Sequence, residues 1–284
     1  MWRNRERAMS GDSVRQHVHE KKRDMMSSCV ERPEYADDFN FVYLSRQAGV
    51  LEVRLHTGNG DVRWNLEFQA ELVSLWERVA RDEDNRVVIV TGTGDTFIHL
   101  GGVVAEGENR FTPRRWKTIH GIARRLVLGH LDIEVPMIAA VNGPATIHCE
   151  QALLCDIVIA ADTAFFADRV HFTRGIVPGD GIHTVLSTVF GLNRARYMAL
   201  TGKQYSAEEA LRMGVVNEVL DKPDLLPRAH QIARELVAKP DVALRSTRMV
   251  LTRELRRSMS DAIDVGVMAE GVGAMEYWPG GDRE

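Results

Sequence analysis

MIAAVNGPATIHCEQALLCDIVIAADTAFFADRVHFTRGIVPGDGIH, residues 137–183, decides how the rest of the chain reads. An apolar run, MIAAV, enters an Asn-Gly-Pro turn. A helix-length segment around CEQALLCD follows, then a second apolar run, IVIAA, and a glycine-rich loop. Short apolar runs bounded by turn residues fit strands buried on both faces, and the segment between them supplies the crossover that parallel strands require. The order strand, turn, helix, strand therefore predicts an α/β fold. Chemistry in open α/β sheets collects at the carboxyl ends of strands. There this stretch places His148, Glu150, Asp168, His171, Asp180 and His183, while its two apolar runs hold no titratable group. These six mark the candidate site.

Outward from the site, the apolar run 87–90 delivers the turn TGTGDT. That turn lacks the GK[ST] of a phosphate loop and opens no helix at the required spacing. Earlier, FVYLSRQAGVLEVRLHT alternates apolar and polar residues as two strands joined at residues 47–49 would. The segment FQAELVSLWERVARDED carries Phe68, Leu72, Leu75, Trp76 and Val79 on one helical face, and the loop before it holds Trp64. PRRWKTIHGIARRLVLGHLDIEVP predicts a helix ending near Asp132, with His120 and His130 at the surface or an interface. Beyond residue 183 the chain is helical, with starts at Asn193, Ser206, Asp224, Asp241 and Ser258, glycine stops at Gly191, Gly202 and Gly214, and VVNEVL as a lone short strand. The expected organisation is a disordered extension over 1–35, a core over 36–239 and a helical carboxyl-terminal region over 240–284 that covers a site or a neighbouring subunit.

Composition narrows the function classes. With 44% hydrophobic and 27% charged residues the chain can bury a sizeable core. Its net charge of -4, with no basic run interleaved with aromatics, argues against a nucleic-acid partner. Cys29, Cys149 and Cys155 are odd in number and lack metal-ligand spacing, so a reducing, cytoplasmic location is expected and a disulfide framework is not. No apolar stretch reaches membrane-spanning length, so no membrane partner is expected. No His pair has zinc-type spacing either, and no metal is expected.

IVTGTGDTF, PMIAAVNGPA, CEQALLCDIVIAADTAFF, GIVPGDG, RYMALTG and SAEEALRMGVVNEV occur in the order found in the crotonase (enoyl-CoA hydratase/isomerase) superfamily, which the chain resembles from about residue 39 to 275. The resemblance implies a spiral of repeated ββα units with a carboxyl-terminal helical region, assembled as a homotrimer or a dimer of trimers. Departures from the CoA-dependent members are specific. Ile98, His99 and Leu100 stand where a small-residue segment supplies a backbone oxyanion donor, and Thr146, Ile147 and His148 stand where consecutive glycines supply the second. Glu150 matches the first catalytic glutamate of the hydratases, whereas His171 matches the second. The surviving constellation is similar to that of the β-diketone hydrolases of the 6-oxocamphor hydrolase type. It implies Trp64 as a substrate-binding residue and His148, His171, Asp180 and Glu270 as catalytic ones.

Chemistry gives those residue types a purpose. Retro-Claisen hydrolysis needs a base for water, donors for an oxyanion or enolate, and a proton for the new C–H bond. Histidine suits the first task, and a carboxylate such as Asp180 would orient its ring. His148 and the Trp64 indole would hold the carbonyl or enolate oxygen, and Glu270 would position water or relay protons. The expected reaction is cleavage of a small, apolar, cyclic β-diketone to a keto acid without a cofactor. A CoA-thioester hydratase or isomerase, and a non-catalytic binding protein of the same fold, are the alternatives.

Overall fold

A computed structural model of the chain describes residues 29–100 and 112–277. The main sheet contains β1 (Val42–Gln47), β2 (Val50–Leu55), β4 (Val87–Gly92), β6 (Met137–Val141), β7 (Ile157–Ala161) and β10 (Glu218–Leu220), side by side in that order. The β1–β2 pair is antiparallel and every other pairing is parallel. VVNEVL is thus not a lone strand, because Glu218–Leu220 forms the sheet edge beside β7. A three-residue strand carries too little periodicity to reveal its neighbour. Strand residues alternate between two cores: Val88 and Val90 face the larger one, while Val87 and Ile89 face a smaller one closed by Leu225, Ala229 and Ala233.

A second layer of short strands runs beside this sheet. β3 (Arg63–Trp64) pairs with β5 (His99–Leu100), and β8 (Phe165–Phe166) pairs with β9 (Tyr205–Ser206). Single bridges from Ala145 to Ile98 and to Phe166 join the two pairs into one ladder. Each turn of chain therefore supplies a long strand, a short strand or bridge, and a helix. The helices are α1 (Leu66–Arg81), α2 (Pro113–Asp132), α3 (Glu150–Leu153) and α4 (Ile182–Val189). This is the ββα spiral expected from the sequence.

Local chemistry sets the element ends. Asn65 caps α1 by accepting from Phe68 N at 2.7 Å, and the five apolar residues anticipated on its inner face are all buried. α3 is only one turn long, where a helix-length segment was expected. The chain turns back directly after it so that Asp156 Oδ2 can accept from Met137 N at 2.7 Å. His130 is fully buried rather than at a surface. Its ring lies edge-on to Trp76, and burial, followed by the nearby Arg248 charge, pushes its pKa down to about 3. Order also reaches back to Glu31, which bridges to Arg46 through backbone and side chain; residues 1–28 of the expected extension lie outside the described residues.

After α5 (Leu192–Thr201), α6 (Ala207–Arg212) and α7 (Lys222–Val237), the chain ends in α8, a single helix over Asp241–Tyr277. The sequence suggested two helices with a start at Ser258. Ser258 is instead an exposed residue in mid-helix, because no proline or glycine near it interrupts the hydrogen-bond ladder. Buried Arg248 ties α8 to the sheet, reaching Asp156 Oδ2 at 2.7 Å and the Ile133 carbonyl. Further along, the helix approaches its neighbours at two glycines. A Cβ on Gly266 would fall 2.3 Å from Gly179 O, and one on Gly271 would fall 2.2 Å from Trp116 Nε1, which donates to Val267 O at 2.9 Å. Alanine normally favours a helix over glycine by about 1 kcal/mol, whereas forcing atoms into a packed contact costs about 1–3 kcal/mol. Gly266→Ala should therefore lower the unfolding midpoint. Gly273→Ala, whose nearest neighbours would be 3.5 Å away, should leave it unchanged or raise it. Thermal melts of the two variants check this, and equal behaviour would mean that α8 does not lie so close.

Candidate active site

Three of the expected site residues occupy matching places in the first, third and fourth turns of the spiral. Trp64 ends β3, His148 follows the Ala145 bridge, and His171 follows β8. Asp180 precedes α4 and Glu270 projects from α8. All five are buried and lie together. The indole of Trp64 stacks on the His148 imidazole, with centroids 4.0 Å apart and planes inclined by 29°. His148 Nδ1 is 2.8 Å from Glu150 Oε1 and 3.2 Å from Asp180 Oδ2. His171 Nε2 is 3.5 Å from the same Asp180 oxygen and 3.7 Å from Glu270 Oε1. The two imidazoles stand at 88° to each other, 6.5 Å apart.

One expectation needs correction. Asp180 does not orient His171 from behind; that position belongs to Asp168, whose two oxygens lie 2.9 and 3.0 Å from His171 Nδ1. Asp180 stands between the two histidines instead. Glu150 is to His148 what Asp168 is to His171, an anchor on Nδ1, and it is wholly buried. Carboxylates accept and do not donate, so each Nδ1 carries a proton directed at its anchor. Sequence reasoning placed Asp168 and Glu150 in the cluster without giving them these roles. The available signal was spacing, since each carboxylate lies within three residues of its histidine. His183 sits on α4 facing Gly266, beyond the cluster, and burial lowers its pKa.

The electrostatics follow from burial and charge count. Burial alone would lower the pKa of His171, but Asp180 and Asp168 outweigh it and hold the imidazole well above the usual histidine range. His148 is raised in the same manner by Glu150 and Asp180, against its own burial. For Asp180, burial acts upward, yet the flanking histidines His171 and His148 bring its carboxyl well below the ordinary value. Glu270 goes the other way: burial, reinforced by the charge of Asp180, pushes it up to about 7. Burial also raises Glu150. No lysine or arginine joins the cluster among the described residues, for the buried arginines Arg46 and Arg248 are paired elsewhere.

Two sets of donor atoms, from His148, Glu150 and Asp180 and from His171, Asp180 and Glu270, each lie within 4.8 Å of one another. Such sets could share a divalent ion, a grouping that spacing along the chain does not reveal. The only cysteine beside them, Cys149, is buried, and that burial drives its thiol pKa far above normal. That thiol is therefore not a ready nucleophile.

The enoyl-CoA hydratase/isomerase family profile matches residues 45–270. The chain belongs to this family. It is 30% identical over 228 residues to a short-chain-enoyl-CoA hydratase of Clostridium acetobutylicum, covering 80% of this chain and 86% of that one. It is 32% identical over 245 residues to a carnitinyl-CoA dehydratase of Salmonella arizonae, covering 83% and 88%. Among solved structures, a β-diketone hydrolase of the cyanobacterium Anabaena superposes with a TM-score of 0.83 at 37% identity, covering 87% of this chain and 98% of that one. An enoyl-CoA hydratase/isomerase of Mycobacterium paratuberculosis gives 0.77 at 28% identity, covering 83% and 94%.

His148 has φ +47, a left-handed conformation that side chains other than glycine rarely adopt. Glycine relieves that strain and alanine does not. His148→Gly and His148→Ala both lose the imidazole, so their difference isolates the backbone. In denaturant titrations the glycine variant should be more stable than the alanine variant by about 1 kcal/mol. Equal stabilities would remove the claim of strain.

Proposed function

We propose that this site hydrolyses a C–C bond of a small, uncharged, cyclic β-diketone by retro-Claisen cleavage, giving a keto acid. One observation carries the reading. Two imidazoles, each anchored through Nδ1 by its own carboxylate, share Asp180; the family resemblance implies that His148 replaces open backbone of the CoA-dependent members. The similarity to the Anabaena β-diketone hydrolase, whose structure holds (S)-3-oxocyclohexyl acetic acid, supports the same substrate class.

In this reading His171 takes a proton from water at Nε2 while Asp168 holds the ring, and Asp180 stabilises the imidazolium that forms. The hydroxide adds to one carbonyl. As the C–C bond breaks, its electron pair moves onto the other carbonyl as an enolate, which His148 and the Trp64 indole stabilise. Glu270, close to neutrality and beside His171 Nε2, relays the proton back to carbon. Among the described residues the cluster holds no lysine or arginine, and its four carboxyl groups outnumber its two histidines, which suits an uncharged ring better than a phosphate-bearing thioester.

The second reading, a CoA-thioester hydratase or isomerase, is favoured by the curated relatives and by the retention of Glu150. Against it, His148 occupies one of the two carboxyl oxygens of Glu150, Oε1. A panel assay separates the two: loss of cyclic diones beside hydration of a short enoyl-CoA, for wild type and His171→Ala. Dione cleavage reduced by at least about 100-fold in a folded His171→Ala variant is expected. Enoyl-CoA turnover without dione cleavage would overturn the reading.

The histidine shifts set a pH dependence. His171 acts as a base only after losing its proton, and its folded pKa is raised, so kcat/KM should climb with pH above the ordinary value of about 6.5. Asp168→Asn removes one of the charges responsible and should move that rising limb to lower pH while lowering its plateau. A limb unmoved in Asp168→Asn would mean that another group is the base.

A further inference from the structure

We propose that the same site hydrolyses enol esters and enol lactones of small uncharged rings, an activity that rests on the hydrolytic reading above. Cys149 is wholly buried, so in that reading attack on a carbonyl falls to water activated at His171. Among the described residues no lysine or arginine joins the cluster, and four carboxyl groups face two histidines, which suits an uncharged acyl compound.

The other half of the site then decides which bonds can break. His148, fixed by Glu150 and stacked against Trp64, faces the departing fragment as a donor for negative charge on oxygen. A group that leaves as an enolate is the group this pair stabilises. Two kinds of acyl compound release one. In a β-diketone the acyl carbon parts from carbon. In an enol ester it parts from the enol oxygen itself.

For the ester, water oxygen bonds to the acyl carbon and its proton passes to His171 Nε2. The acyl C–O bond breaks, its electron pair remains on the enol oxygen, and the proton on His171 returns to that oxygen or to solvent. The products are a carboxylic acid and an enol that becomes a ketone, with no oxidant or second reactant consumed. An enol O–H is more acidic than the corresponding ketone C–H, so the ester bond is the easier one to break, and no proton need be placed on carbon within the site. A saturated ester releases an alkoxide, which lacks this delocalisation, and is a poor substrate.

The experiment compares cyclohexenyl acetate, cyclohexyl acetate and a cyclic dione on the full-length protein, in wild type and His171→Ala, with folding verified by thermal melt. Hydrolysis of cyclohexenyl acetate at least about 100-fold above cyclohexyl acetate, lost in His171→Ala and inhibited competitively by the dione, is the expected result. Should His171→Ala fail to fold, Asp168→Asn and competition by the dione carry the same test. Dione cleavage with enol-ester turnover no faster than buffer overturns the inference and leaves the diketone reading intact. Enol-ester turnover without dione cleavage does the reverse. Enol-ester turnover that survives His171→Ala, or is indifferent to the dione, places the activity elsewhere and also overturns the inference.

Discussion

A single oxygen, Oδ2 of Asp180, sits 3.2 Å from His148 Nδ1 and 3.5 Å from His171 Nε2, and the arrangement of the site depends on it. A buried carboxylate without partners would be costly, and so would two buried imidazolium rings; placed between them, the carboxylate compensates both. Removing it would leave two cations facing each other across 6.5 Å of protein interior. The pairing is therefore mutual. The histidines lower the pKa of Asp180, and Asp180 with Asp168 and Glu150 raises those of the histidines.

Keeping that oxygen in place reaches far into the fold. Asp180 lies between Gly179 and Gly181, and Gly181 has φ +105, which a larger residue would strain to adopt. A Cβ on Gly179 would fall 2.0 Å from Gly266 O on α8. The same approach of α8 brings Glu270 within 3.7 Å of His171. Helix docking and active-site assembly are one event. Arg248, bonded to the Asp156 that also receives Met137 N, fixes the other half of the helix to the strands that deliver His148 and His171. Displacing α8 thus changes the charge balance of the site as well as the packing.

Much of this was legible in the chain. MIAAV and IVIAA as parallel strands and the apolar face of α1 follow from pattern, and the gathering of Trp64, His148, His171, Asp180 and Glu270 from the family resemblance. What stayed hidden is instructive. Which carboxylate anchors which histidine depends on ring orientation, and spacing alone cannot give it; hence Asp168 took the role expected of Asp180. The pairing of β10 is settled by tertiary contacts that leave little local signature, whereas α8 runs past Ser258 because a serine by itself does not interrupt the ladder. His130 looked peripheral because a helix places residues at every angle, and only the neighbouring α1 shows that its face is covered.

The spiral explains how one fold could change its chemistry through few positions. Each turn ends its short strand or bridge at the same edge, so Trp64, His148 and His171 are equivalent outputs of a repeated unit. Backbone N–H donors at such a place stabilise an oxyanion but cannot exchange a proton. An imidazole at φ +47 costs backbone strain, yet it can donate a hydrogen bond, carry charge and be tuned by the carboxylate behind it. Breaking a C–C bond with water requires proton movement as well as oxyanion stabilisation, whereas a thioester enolate chiefly requires the latter. A side chain at such an output can meet that demand, and Glu150, buried beside His148, holds its Nδ1.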